Sequence, residues 1–197
     1  MKKPIVSKKE QLYKEITTES KIIEFLFRYP YHDFTLTEIA KETKVSKSTA
    51  SRVLSRLKEA GFITINVLGK SGHIWRIQAN YEHPLFIREK IIRNLGIIYR
   101  SGIVDYINDI FKYPKAIVLF GSFRKGEDSE DSDIDIAIET DEDIELKILE
   151  IEDFKVLETK LERKIKIYRF NRKKIDLNLF NNIANGIILS GFLEVKK

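Results

Sequence analysis

No cysteine occurs anywhere in the sequence, so disulfide staples, thiolate metal sites and cysteine nucleophiles are excluded together. Histidine is nearly as scarce. His32, His73 and His83 are too widely spaced to read as a histidine-rich metal site. No stretch approaches the ~18 consecutive apolar residues of a membrane-spanning helix, and the opening MKKPIVSKKEQLYKE has basic residues with no apolar run behind them. These absences lead us to expect a soluble, cytoplasmic protein with no membrane partner. What the chain has in quantity is charge, 33% of its residues, beside 43% hydrophobic ones, enough for a packed core and too apolar for a disordered chain. A length of 197 residues allows one domain or two modest ones.

The net charge of +5 hides an asymmetry. Residues 1–80 carry 15 Lys/Arg against 8 Asp/Glu, an excess of seven positive charges, which leaves 20 against 22 for residues 81–197. Half of that acid, 11 of the 22, lies between Glu127 and Glu145. A basic half joined to one with an acidic concentration suggests a polyanion-binding module beside a site able to hold cations.

In the basic half, Ile22, Ile23, Leu26 and Phe27 recur at the spacing of one helix face, and Pro30 closes that segment. Thr35 is placed to cap a short second helix through Leu36, Ile39 and Ala40. Ser46 is placed to cap a third, whose Ala50, Val53, Leu54 and Leu57 form an inward stripe and which Gly61 ends. A hairpin follows: FITINVL, the turn GKSG, then HIWRIQA. Three helices and a two-stranded wing over residues 18–80 resemble the winged helix-turn-helix family, most specifically at TLTEIAKETKVSKSTASRVLSRLKEAGFI. The resemblance implies a transcription regulator whose partner is double-stranded DNA. With the stripe turned inward, Ser48, Ser51, Arg52 and Ser55 face outward, flanked by Lys47, Thr49 and Arg56, where hydroxyls and guanidinium groups can reach base edges and phosphates. On the wing, Lys70, Ser71, His73 and Arg76 are expected to contact the DNA backbone or minor groove.

Residues 81–113 read as two amphipathic helices separated near Ser101-Gly102. As a helical connector they can join the domains, pack on the second sheet or form a dimer surface, and a homodimer surface is favoured, since winged-helix proteins commonly bind paired half-sites. Residues 1–17 read as a basic N-terminal extension.

The richest segment is KAIVLFGSFRKGEDSEDSDIDIAIET. Ala116 to Phe120 reads as a buried strand, and Gly121-Ser122 turns out of it. Farther on, Asp133-Ile134-Asp135-Ile136 alternates acid and apolar groups, so a strand puts both carboxylates on one face, about 7 Å apart, two strand rises. Two such carboxylates suit a hard divalent cation, Mg²⁺ or Mn²⁺, that also contacts a triphosphate. Gly121 permits close backbone approach, and Ser122 offers an amide and a hydroxyl to phosphate oxygens.

This Gly-Ser and Asp-x-Asp arrangement resembles the minimal nucleotidyltransferases of the DNA polymerase β superfamily over residues 114–197. Lys125-Gly126 stands where that family has Arg-Gly, Ser132 precedes the first aspartate, LERKIKIYRF looks like the family's third strand, and NNIANGIILSGFLEV like its closing helix and tail. The resemblance implies Asp133 and Asp135 as metal-binding and catalytic residues, Gly121, Ser122, Lys125 and Ser132 as nucleotide-binding residues, and ATP as the nucleoside triphosphate. It also exposes a departure. The family's third carboxylate falls at Lys166, and an ammonium there can neither ligate a second cation nor take a proton while charged. Glu162 and Asp176 are near in sequence but off the matching position.

The expected fold is α+β, a winged helix-turn-helix followed by a nucleotidyltransferase-like α/β domain with a small mixed sheet. The expected function is a DNA-binding regulator that binds a nucleotide with Mg²⁺ and transfers weakly or not at all. The alternative is an active adenylyl transferase acting on a protein or nucleic-acid hydroxyl, which includes an antitoxin-like protein with a toxin partner.

Overall fold

A computed structural model describes residues 17–68 and 74–195. The chain divides into two compact units at Lys90/Ile91. No helix among the described residues is long and apolar enough to cross a membrane.

The first unit contains helices α1 (Thr18–Arg28), α2 (Leu36–Glu42) and α3 (Lys47–Glu59), with strands β1 (Asp33–Phe34), β2 (Ile63–Leu68) and β3 (Ile74–Ala79). Each helix start is set by a hydroxyl cap. Thr17 accepts from the Ser20 amide at 3.1 Å, and Ser46 from the Thr49 amide at 3.2 Å. Thr35 and Glu38 bond each other's backbone amides reciprocally, satisfying two donors that the helix leaves unpaired. The inward stripe read from α3 is the buried one: Ala50, Val53, Leu54 and Leu57 join Ile22, Leu26, Phe27, Ile39 and Ile77 in one core. Phe86, from the start of helix α4 (Pro84–Arg100), closes that core against Phe27, edge-on at 4.9 Å. The three-stranded order is β1-β3-β2, so the wing hairpin gains a short third strand from the segment before α2.

The second unit is built on a five-stranded mixed sheet made of β4 (Ala116–Phe120), β5 (Ile134–Glu139), β6 (Lys147–Leu149), β7 (Ile165–Phe170) and β8 (Ile187–Gly191), in the order β6-β7-β5-β4-β8. β5 and β7 run parallel, and the other pairs are antiparallel. One face buries Ile117, Leu119, Ile134, Ile136, Ile165 and Ile167 with Ile98 of α4, Ile103 and Ile107 of α5 (Ile103–Phe111), and Leu157 of α7 (Lys155–Leu161). The opposite face buries Ala116, Val118, Phe120, Ala137 and Phe170 with Ile183 of α8 (Leu177–Ala184). Because strand alternation sends every second residue to each face, the unit carries two apolar layers around one sheet.

One sequence expectation is narrowed here and one changes. Of the roles open to residues 81–113, packing on the second sheet is seen for Leu95, Ile98 and α5, while the start of α4 supplies Phe86 to the first core. The chain's last segment is not helix and tail alone, because β8 follows α8 and pairs with β4, covering an edge that would otherwise expose unpaired backbone groups.

Candidate functional site

One end of the second sheet brings together the C-terminal end of β4 with the N-terminal ends of β5 and β7. Antiparallel pairing sets Phe120 opposite Asp135, and parallel pairing sets Asp135 opposite Lys166 and Ala137 opposite Tyr168. Asp133 lies one residue before β5 and two before Asp135. Alternation therefore gathers the two aspartates, Lys166 and Tyr168 on one face while Ile134, Ile136, Ile165 and Ile167 go into the core on the other. Lys166 Nζ is 2.6 Å from Asp133 Oδ2, and both side chains are about one-third exposed, 35% and 29%. The hydrogen bond and charge of Asp133 hold the Lys166 ammonium above its ordinary pKa. Burial raises the Asp135 carboxyl, with Asp133 adding to the rise; a hydrogen bond from the Tyr168 hydroxyl and the charge of Lys166 oppose it. Tyr168 is itself raised, by burial and then by Asp135.

Gly121 forms the wall of this site. Its backbone is left-handed, φ +74°, and a Cβ there would come within 2.5 Å of Asp135 Oδ2. Glycine thus leaves space beside the carboxylate that no side-chain residue could leave. The two aspartates and this cradle fit one hard divalent cation, which takes one or two carboxylates together with phosphate oxygens and water. They do not fit two, because no group of three acidic, histidine or cysteine side chains gathers among the described residues. Asp176 is occupied elsewhere, capping α8 through the Asn178 and Leu179 amides at 2.9 and 3.1 Å. Glu162 is exposed at the left-handed end of α7.

The other expected nucleotide-binding residues are placed unequally. Ser122 follows Gly121 in the short helix α6 (Gly121–Lys125), and Lys125 at its end is half-exposed, 3.8 Å from Glu127. Ser132 Oγ accepts the Ser129 amide at 2.9 Å, so this hydroxyl shapes the loop leading to Asp133.

That loop is held by residues the sequence reading missed. Asp128 is fully buried and accepts from Arg163 at 2.9 Å and from Asn94 of α4 at 2.7 Å. Asn94 also donates to the Phe123 carbonyl at 2.8 Å, fastening α6 to the same point. Arg163 donates further to the carbonyls of Ser129 and Ser132 and lies over the Phe123 ring. One guanidinium thus fixes the segment from Asp128 to Ser132, immediately before Asp133. The partners lie 29 to 35 residues apart, and Asp128 sits in a run of acids that reads as solvated surface, so nothing local marked the network.

In the first unit, α3 presents Lys47, Ser48, Arg52, Ser55 and Arg56 outward, with Thr49 and Ser51 half-buried. Ser48 and Thr49 share hydrogen bonds with the Ser46 cap, and Ser55 bonds back to the Ser51 carbonyl. Arg56 is paired with Glu19 at 2.9 Å, and Arg76 with Asp33 at 2.9 Å. Arg52 is exposed and has no carboxylate partner among the described residues. Lys70, Ser71 and His73 lie outside the described residues.

Comparison with known proteins agrees with this division. The family described as nucleotidyltransferase domain matches residues 100–188, and the family described as HTH domain matches residues 18–74. A solved structure titled "The crystal structure of the transcriptional regulator SlyA" is 24% identical over 53% of this chain and 78% of its own, with a TM-score of 0.30. No curated protein matches the chain.

Proposed function

Taking the chain as a helix-turn-helix domain fused to a nucleotidyltransferase domain, we propose a DNA-binding regulator whose second domain binds a nucleoside triphosphate, ATP, with a divalent cation and transfers its nucleotidyl group weakly or not at all. The observation that carries this reading is Lys166, whose ammonium sits 2.6 Å from Asp133 at the strand position where a third carboxylate would complete a transferase site.

The first domain supports the DNA half. A basic, hydroxyl-rich face on α3, with Arg52 exposed and unopposed by a described carboxylate, suits phosphates and base edges. In the second domain Asp133 and Asp135 would hold the cation, which when bound supplies Lewis-acid charge to phosphate oxygens. Gly121 keeps bulk away from Asp135, and Ser122 and Lys125 extend the same turn with a hydroxyl and a positive charge. Transfer needs a free base beside the cation; Asp133 and Asp135 would be its ligands, and Lys166, whose pair with Asp133 holds its pKa above the ordinary value, cannot take a proton while charged. Exposed Ile92, Tyr99 and Ile110 on α4 and α5 support a homodimer.

Gel-shift titration of the full chain against genomic DNA fragments tests the first half: binding should weaken steeply as salt rises, and absence of binding at low salt removes the regulator. Labelled ATP with Mg²⁺ or Mn²⁺ and protein or RNA acceptors tests the second. Little or no transfer is expected. Robust transfer by the wild type would instead establish the active transferase, the reading that the intact Gly121, Asp133 and Asp135 geometry favours.

A further inference from the structure

We infer that Lys166 takes the place of a second metal ion, so that the site binds a triphosphate with a single divalent cation and uses the Lys166 ammonium as the other positive contact to phosphate. The inference rests on the nucleotide-binding reading above and gives that site a definite ligand set.

It follows from counting acceptors. A carboxylate offers two oxygens, each able to take about two partners. Asp133 Oδ2 is already engaged by Lys166 at 2.6 Å. The remaining lone pairs on two half-buried aspartates suffice for one cation completed by phosphate oxygens and water. A pair of metal ions about 4 Å apart needs bridging and terminal carboxylates that are not there. Charge points the same way. Two carboxylates and an ammonium sum to −1, so one divalent cation leaves the site at +1, attractive to a polyphosphate, whereas a second would be repelled by the ammonium. Lys166 has the freedom this role requires. Its side chain is 35% exposed, it is opposite Asp135 in register, and its stem rises from a strand whose neighbours Ile165 and Ile167 are fully buried. The strand is rigid and the ammonium is within reach of solvent, so it can exchange a carboxylate for a phosphate without moving backbone.

The test is to saturate the full-length protein with Mn²⁺ and a non-transferable ATP analogue bridged by methylene between the α and β phosphates. Bound Mn²⁺ and nucleotide are then counted, and spin coupling between metals is read by EPR. The expected wild-type result is one Mn²⁺ per bound nucleotide and an uncoupled spectrum. Lys166→Ala should weaken the analogue about tenfold, as loss of a charge-assisted contact implies, and Lys166→Arg should restore most of that loss. Lys166→Asp should bind two Mn²⁺ with a coupled spectrum. Melting curves confirm that each variant is folded, which the side chain's exposure leads us to expect. Two coupled Mn²⁺ in the wild type, or unchanged affinity in Lys166→Ala, would overturn the inference while leaving nucleotide binding intact. No analogue bound by the wild type would overturn both.

Discussion

Two ion pairs flank the loop that leads into β5, and they differ in little except burial. Arg163 and Asp128 are 2.9 Å apart with side chains 6% and 0% exposed; Lys166 and Asp133 are 2.6 Å apart at 35% and 29%. The buried pair is saturated: Asp128 also accepts from Asn94, and Arg163 also serves two carbonyls. Such a pair cannot exchange partners without leaving a charge stranded in a dry interior. The exposed pair can, because water or phosphate can replace either partner. Similar contact distances therefore describe a fixed support in one case and an exchangeable surface contact in the other.

The sharpest way to break this comparison is to remove one cation from each pair. Arg163→Ala leaves Asp128 charged, buried and short of a partner, and should destabilise the second unit by about 3–5 kcal/mol. Lys166→Ala should leave the melting temperature nearly unchanged. Denaturant or thermal unfolding of both variants checks the contrast, and equal losses would show that burial is not what separates them.

The first unit extends the contrast to DNA. Arg52 is exposed with no described carboxylate partner, whereas Arg56 must give up Glu19 to reach a phosphate. Arg52→Ala should cost about 1–3 kcal/mol of DNA affinity if it reads a base edge, and Arg56→Ala less. Shift assays at one fixed salt concentration rank them, and a larger loss at Arg56 would place the reading surface toward the C-terminal end of α3.

Gly121 sharpens the exposed pair from its other side. Gly121→Ala forces a Cβ into the left-handed region, about 1–2 kcal/mol, and against Asp135 Oδ2. The variant should melt slightly lower and lose the nucleotide analogue. Calorimetric binding at wild-type strength would mean that the cradle beside Asp135 is not part of the ligand site.

These particulars also mark what could be read without coordinates. The α3 stripe was legible because helical spacing and a hydroxyl cap are local. The gathering of Asp133, Asp135, Lys166 and Tyr168 on one face was legible because alternation along two strands leaves the buried isoleucines only one choice. The Asn94–Asp128–Arg163 network was not, since its members come from distant segments and only tertiary pairing joins them. β8 was hidden for a related reason. IILSG carries no alternation of its own, and it becomes a strand by pairing with β4. The division of α4 between two cores was equally hidden, because its apolar stripe looks the same whichever core each part joins.

The smallest expected effect belongs to an exposed contact in the first unit, the reciprocal cap of Thr35 and Glu38. Glu38 accepts from the Thr35 amide at 2.7 Å and hydroxyl at 2.9 Å, and those bonds, chiefly the backbone one, hold its carboxyl below the ordinary value of 4.5; Arg76 adds a weaker pull in the same direction. A carboxyl depressed in the folded state binds fewer protons there than when unfolded. Its stabilising contribution is therefore complete above 4.5 and disappears as pH falls through the lower folded value. Thr35→Ala, which removes the hydroxyl accepting the Glu38 amide, should cost about 1 kcal/mol near neutral pH. Glu38→Gln keeps a side chain able to accept the Thr35 amide but cannot titrate, so its acid limb should be flatter than that of the wild type. Melting of the two variants and the wild type from neutral to acid pH tests this. Parallel acid limbs for wild type and Glu38→Gln would show that even this well-formed exposed contact contributes nothing that protonation can remove.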